Sequence, residues 1–474
     1  MSRPRRLLGA ASLVAATALA LPVSAQAHGL GQREDLPIPS WLFAWGAAAV
    51  LIASFAALAV LWRTPRLQAR EEGRPVVRVP VVVDVLLGLL GVGLFALTAY
   101  AGLAGTQEPA DNLAPVMVFV VVWVVVPVLS VLLGDVFSAL SPWRAIGRAV
   151  SWLYGRVGGS ARGPEPLAYP ERLGVWPAVA VVLLFGWLEL VYTDRDDPSQ
   201  LALLALAYAV VQLIGITLYG VEPWSRSGDG LAVYFRLFAR LSPWRRDGAE
   251  LKLVRPLSRL PQLAEQPGLV ALLVVAIGVT SFDGLSASSL WTSLAADLQR
   301  LFVDVGLSQT AGFQLAGTVG LLLMVAIVGS FYALGVAGMR AVDPDRSTQA
   351  LRRTYVHSLV PIALAYVVAH YFSFVVLDGQ SVIRLASDPL GDGADLLGTA
   401  TVATNYALIG ATAIWYVQVG VLVAGHVAGL LLAHDRALGL YASPRTASRS
   451  QNYMLAVMVG FTCLGLWLLS AAAT

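Results

Sequence analysis

The chain has 474 residues, of which 57% are hydrophobic and only 13% charged, with 32 basic and 29 acidic residues giving a net charge of +3. A soluble domain carries about 25% charged residues, so this composition excludes an ordinary soluble enzyme and points to a chain solvated by lipid. The basic excess does not signal nucleic-acid binding, because the arginines lie in short segments between apolar runs. Cys463 is the only cysteine and sits in the last apolar run, which leaves no disulfide framework and no Cys-x-x-Cys metal site.

Residues 1–27 read as a cleaved secretory signal. Arg3, Arg5 and Arg6 form a basic start, Leu7 to Leu21 an apolar stretch of 15 residues, and Ala25-Gln26-Ala27 a small-x-small cleavage site. An apolar stretch of that length is short for a membrane helix, which needs about 20 residues. The mature chain then begins at His28.

Ten apolar runs follow, near 41–62, 80–103, 113–133, 174–192, 201–220, 268–283, 311–336, 355–377, 406–433 and 452–472. The expected fold class is therefore all-α: one integral membrane domain, 28–474, built as a polytopic helical bundle of about ten spans. Segments 63–79, 134–173, 221–267, 337–354 and 434–451 hold 25 basic residues, while the alternating segments hold 4. By the positive-inside rule the first set is cytoplasmic. This places the protein in a bacterial inner membrane with both termini of the mature chain outside.

Two cytoplasmic segments carry amphipathic stretches suited to the membrane surface. In 134–156, Phe137, Leu140, Trp143, Val150 and Leu153 share a stripe, with Arg144, Arg148 and Arg156 placed to meet headgroups. Leu231–Leu241 repeats the design with Tyr234, Phe235, Leu237 and Phe238 beside Arg236 and Arg240. Both segments contain Leu-Ser-Pro-Trp-Arg, at 140–144 and 241–245; a Gly-Asp pair precedes each, but Gly134 stands six residues before Leu140 and Gly228 thirteen before Leu241, so the pair adds little. A duplicated hairpin with an interfacial helix would explain the pattern; so would chance at membrane surfaces rich in Trp and Arg.

No GxSxG, HExxH, Walker A or GxGxxG motif occurs. The chemistry must reside in polar groups placed inside hydrocarbon, where each ionisable side chain is a functional candidate. Glu189, Asp283, His370 and Gln418 fall at one depth, roughly 22 Å from the cytoplasmic boundary at 1.5 Å per residue. Two carboxylates, an imidazole and an amide suit a transition metal (copper, zinc or iron) or a proton-coupled solute. The plainer alternative has the two acids reaching outer headgroups and His370 bonding between helices. His357 and His426 form a second group nearer the cytoplasm, together with His434, Asp84 and Asp135. Same-helix pairs are too far apart to chelate one ion: His426 and His434 are about 12 Å apart along an axis and His357 and His370 about 20 Å. Any metal there sits between helices, including a haem held by His357 and His426. His28, with its free amine after cleavage, is a copper-chelating candidate, although polar residues commonly follow cleavage sites. Gly425 and Gly429 flank His426 in a GxxxG that favours close helix approach.

The segments His28-Gly-Leu-Gly-Gln-Arg-Glu-Asp-Leu-Pro-Ile-Pro-Ser-Trp-Leu, Thr280-Ser-Phe-Asp-Gly-Leu-Ser, His357-Ser-Leu-Val-Pro-Ile-Ala-Leu-Ala-Tyr and Gly425-His-Val-Ala-Gly-Leu-Leu-Leu-Ala-His-Asp-Arg-Ala resemble a family of bacterial polytopic membrane proteins. Some of its members are labelled fenitrothion hydrolase. The resemblance spans essentially the whole chain, implies organophosphate ester hydrolysis, and brings no catalytic residue with it. Three readings stand at this point. The first is a permease-like protein that passes a small solute or metal ion between spans 4, 6, 8 and 9. The second is a membrane-embedded metal-dependent hydrolase. The third is an accessory subunit that meets membrane partners through its Trp-Arg segments. The expected partners are thus the lipid bilayer, a small solute or metal ion, and other membrane subunits, with no nucleic acid.

Overall fold

The structure, a computed structural model, describes residues 40–157 and 165–471. The signal segment and His28 lie outside the described residues. Nine helical stretches among the described residues are long and apolar enough to cross a bilayer. They are α1 (Ser40–Leu61), α2 (Val81–Ala104), α3 (Leu113–Leu133), α7 (Pro198–Tyr219), α10 (Leu269–Ser286), α12 (Gln309–Val342), the run Thr348–Ser387, α16 (Ala411–Leu440) and α17 (Pro444–Ala471). The run from Thr348 is divided by short 3-10 turns into α13 (Thr348–Tyr355), α14 (Leu359–Leu377) and α15 (Ser381–Ser387). The integral membrane bundle expected from composition is the fold.

The apolar run at 174–192 becomes α6 (Trp176–Leu190), only 15 residues, which span about 22 Å against the roughly 30 Å of a hydrocarbon core. Its helix stops one residue beyond Glu189. That acid therefore sits at a helix end inside the bundle rather than along a full span. Asp283 is placed differently from expectation, a turn inside α10 rather than at its terminus, because α10 continues to Ser286.

α10 occupies the centre, with 78% of its most apolar window buried, against 17% for α1 and α2 at the periphery. From Leu269 to Val279 it is apolar on every face, as suits a helix enclosed by others. It packs on α6, α12 and α14, while α14 packs on α16, α12 on α17, and α17 on α1. On the other flank α2 packs against α7. α3 is unusual in being π-helical from Val116 to Val125 between Pro115 and Pro127. Wide turns of this kind recur at functional positions, and this one presents Trp123 inward.

The expected surface segments largely enter the bundle. After α4 (Val136–Leu140) and the start of α5 (Pro142–Val157), a Cβ placed on Gly91 of α2 would fall 1.7 Å from the Leu140 carbonyl oxygen. Trp143 meets Phe95 and Tyr208, both near the middle of their spans. α5 is exposed from its middle to its far end, through Ile146, Val150, Trp152, Leu153 and Tyr154. The second stretch forms α8 (Val221–Ser227) and α9 (Gly230–Ala239), and α9 is buried on nearly all sides against α3 and α6 instead of lying on the surface.

The two Gly-Asp pairs act alike: Asp135 caps α4 through the Ser138 amide and Asp229 caps α9 through the Ala232 amide. They also grip each other's units, for Trp143 Nε1 donates to Asp229 Oδ2 at 2.6 Å and Arg236 Nε to Asp135 Oδ2 at 3.0 Å. Beyond that the pentapeptides diverge. The first opens helix α5, whereas Trp244 of the second starts strand β2 (Trp244–Asp247). With β1 (Arg74–Arg78) and β3 (Glu250–Leu253) it forms a small antiparallel sheet ordered β1–β3–β2. At the opposite end, α11 (Ser289–Asp304) is an amphipathic helix capped by Ser288 and laid beside α12. Neither the sheet nor α11 was expected.

Candidate functional site

The central packing brings three of the four depth-matched residues together. Asp283 of α10 and His370 of α14 are 0% and 4% exposed, and Asp283 Oδ2 lies 2.8 Å from His370 Nε2. Glu189, 1% exposed at the end of α6, accepts a hydrogen bond at Oε1 from the hydroxyl of Tyr371 at 3.0 Å. Its Oε2 has no hydrogen-bond partner among the described residues. The two carboxyl groups are close enough to feel each other's charge. Neighbouring positions on α14 thus serve the two acids, His370 one and Tyr371 the other. This is possible because α14 is buried on most sides, so residues about 100° apart on the helix both face protein.

Tyr371 continues the group toward α3, where the indole of Trp123 lies nearby. Trp123 in turn stacks on Phe185 at 4.0 Å and on Tyr234 of α9 at 5.5 Å between ring centres. The aromatic wall on this side is therefore assembled by α3, α6 and α9. On the other side of His370 a cavity of about 10 Å³ is lined by Thr280, Ser281, Gly284, Tyr366, His370 and Leu422. That is room for about one water.

Gln418 is buried at the same depth, on α16, but no hydrogen bond among the described residues joins it to the other three, and its Oε1 has no donor. His357 and His426 are also buried. Their Nδ1 atoms lie 3.1 Å and 2.8 Å from the carbonyl oxygens of Thr354 and Leu422, each on the same stretch of chain. His434 Nε2 contacts the Trp62 carbonyl at 3.1 Å. Among the described residues no three His, Cys, Asp or Glu side chains converge on a point where a metal ion would sit.

Two other buried acids are fully engaged. Asp435 accepts from Trp62 Nε1, the amides of Arg66 and Leu67, and Gln68 Nε2, at 2.6–3.1 Å. Asp229 accepts from Trp143 Nε1, the Tyr208 hydroxyl and the Ala232 amide. These pin loops and helix ends. Glu189 and Asp283 differ in lying at the centre of the bundle, where they face Tyr371 and His370, side chains that can themselves pass protons. Tyr371 and Trp123 were missed from sequence, as tyrosine and tryptophan are ordinary components of membrane helices, and Tyr234 was read only as part of a surface stripe. The one available signal was the direct adjacency of Tyr371 to His370.

Comparison with protein-family models, curated proteins and solved structures gives no match to this chain.

Proposed function

We propose that the chain is a permease-like membrane protein in which Glu189, Asp283, His370 and Tyr371 form a proton-exchanging site coupled to passage of a small polar solute. The observation carrying this reading is the pair of buried carboxyl groups, in mutual electrostatic reach and served by a histidine and a tyrosine, in the middle of an apolar bundle. Charges held at such depth are costly, and where they occur they commonly mark proton or ion pathways. Protons move between Asp283 and His370 across the 2.8 Å contact, and the Tyr371 hydroxyl orients Glu189. The solute enters when the packing between α6, α10 and α14 loosens, with the proton load deciding which arrangement is favoured.

A proton role asks less of the site than a metal role, since a transition-metal centre draws on three or four converging donors. The organophosphate hydrolysis implied by the family resemblance would need paired ions with several histidines and carboxylates, and the described residues bring no such group together. The accessory-subunit reading has no observation that favours it here.

The test uses purified protein in proteoliposomes loaded with a pH-sensitive dye, with an imposed potassium diffusion potential driving protons inward. Wild type is expected to acidify the lumen above the rate of empty vesicles. Glu189→Gln and Asp283→Asn, checked for folding by thermal unfolding in detergent, are expected to lose most of that flux. Equal flux in the folded variants and wild type, or none in wild type, would sink the proposal.

A further inference from the structure

A cleft of about 530 Å³ lies away from this site, on the arginine-rich side of the bundle. It opens where α10 begins and is closed by α12, α13 and the first residue of α6. Its apolar wall includes Val270, Val274 and Gly329, and its mouth carries Trp176, Arg352 and Arg353. Trp176 and Leu269 are the first residues of their helices, so the mouth lies at the level where helices leave the hydrocarbon. Tryptophan and arginine at that level are a headgroup-layer pairing.

The charges at the mouth are uncompensated. Arg346, a few residues earlier, pairs with Asp343 at 2.9 Å. Arg352 and Arg353 are exposed and form no ion pair with any described carboxylate. Their backbone is nevertheless fixed, because the Tyr332 hydroxyl donates to the Arg352 carbonyl at 2.6 Å. The inner wall is held open by the missing side chain of Gly329, where an added Cβ would only touch Val274 Cγ1 at 3.4 Å.

We infer that this cleft is a binding site for one anionic phospholipid of the arginine-rich leaflet, its phosphate between Arg352 and Arg353 and an acyl chain along Val270, Val274 and Gly329. Two free guanidiniums over an apolar trough match the two ends of a lipid molecule. A soluble anion would use only the mouth, and a zwitterionic lipid would bring a headgroup cation against the same two guanidiniums. Basic pockets between membrane helices select anionic headgroups on this principle. The site is independent of the proton-exchanging group.

The experiment is native mass spectrometry of the detergent-solubilised full chain titrated with phosphatidylglycerol, phosphatidylcholine or glycerol phosphate. Wild type is expected to bind one phosphatidylglycerol well ahead of either competitor. Arg352→Gln with Arg353→Gln is expected to weaken it about thirtyfold, from the contribution of two arginines near a surface. Gly329→Leu, which fills the trough and removes no charge, is expected to lower phosphatidylglycerol binding in a protein of unchanged melting temperature. Equal binding of the two lipids to wild type overturns the site, as does glycerol phosphate displacing the lipid at equal concentration. Preference for phosphatidylglycerol that survives both sets of substitutions overturns it as well.

Discussion

At the scale of single residues, the buried acids divide by what holds them. Asp435 has four donors on two oxygens, three from the short stretch 66–68 and one from Trp62, so its role is to fasten that stretch to α16. Removing it leaves one buried and three part-buried donors unanswered, a buried one costing about 1–3 kcal/mol. Asp435→Ala is therefore expected to lower stability by about 3 kcal/mol or more, read as a fall in melting temperature in detergent. Glu189→Gln is expected to keep the melting temperature within a few degrees of wild type, since the amide preserves shape and still accepts from Tyr371. If the two variants melt alike, the division between fastening acids and exchanging acids is lost. The sequence placed Glu189, Asp283 and His370 at one depth because depth follows from rise per residue. It could not report adjacency, which depends on which helices pack. Gln418 shares that depth and remains outside the group for this reason.

Among the elements, the close approach of α14 and α16 is legible from a pattern of glycines. An added Cβ on Gly425 of α16 would lie 2.2 Å from the Ala365 Cβ and 2.8 Å from the Pro361 oxygen, both on α14, and one on Gly429 would lie 2.8 Å from the Ser358 oxygen. Backbone cannot give way as a flexible side chain would, so Gly425→Val should force α14 and α16 apart, costing about 2–3 kcal/mol. Gly420, on the same helix with nothing within 4 Å, is the control: Gly420→Val should melt close to wild type. Equal loss in the two variants would mean the helices do not depend on close approach at Gly425. The Leu-Ser-Pro-Trp-Arg copies show where local pattern stops being informative. The shared Gly-Asp cap and following helix recur in both, but what comes after the pentapeptide is set by available partners. Arg144 finds Glu222 at 3.0 Å and continues as helix, whereas Arg245 meets the carbonyls of Glu71 and Glu72 and continues as strand.

The same contact between α5 and α8 makes a pH prediction. Burial raises the Glu222 carboxyl, but hydrogen bonds and charges from Arg148 and Arg144 outweigh it and hold the group below its ordinary value. A carboxyl depressed by folding lends stability above its unfolded value, and that contribution disappears as pH falls through the folded one. With Glu222 side chain 45% exposed, solvent screening keeps the effect small, on the order of 1 kcal/mol or less. Melting temperature followed from neutral pH to about pH 3 should therefore fall slightly less for Glu222→Gln than for wild type. A steeper fall in the variant would reverse the sign assigned to the pair.

For the whole molecule, composition and apolar runs were enough for the bundle because a bilayer permits few backbone arrangements. What they could not convey were the segments that fold against a surface only the finished bundle supplies. The sheet joins residues 74–78 to 244–253 across a long stretch of chain. α11 lies along the other end of α12. Both parts bear on orientation, since the sheet carries Arg78, Arg245, Arg246 and Lys252, while α11 carries Arg300 beside Asp297. If the positive-inside reading is right, the sheet faces the cytoplasm and α11 the exterior. Cys463 is the only cysteine, so a Cys463→Ser background allows single reporters. Asp297→Cys, on the exposed face of α11, should react with a membrane-impermeant maleimide on intact cells. Glu72→Cys, in the exposed approach to β1, should react only after the membrane is opened. Labelling of both positions from one side would contradict the structure's separation of sheet and α11 to opposite ends. The reverse pattern would keep the fold and invert the protein, turning the lipid cleft at Arg352 and Arg353 toward the outer leaflet.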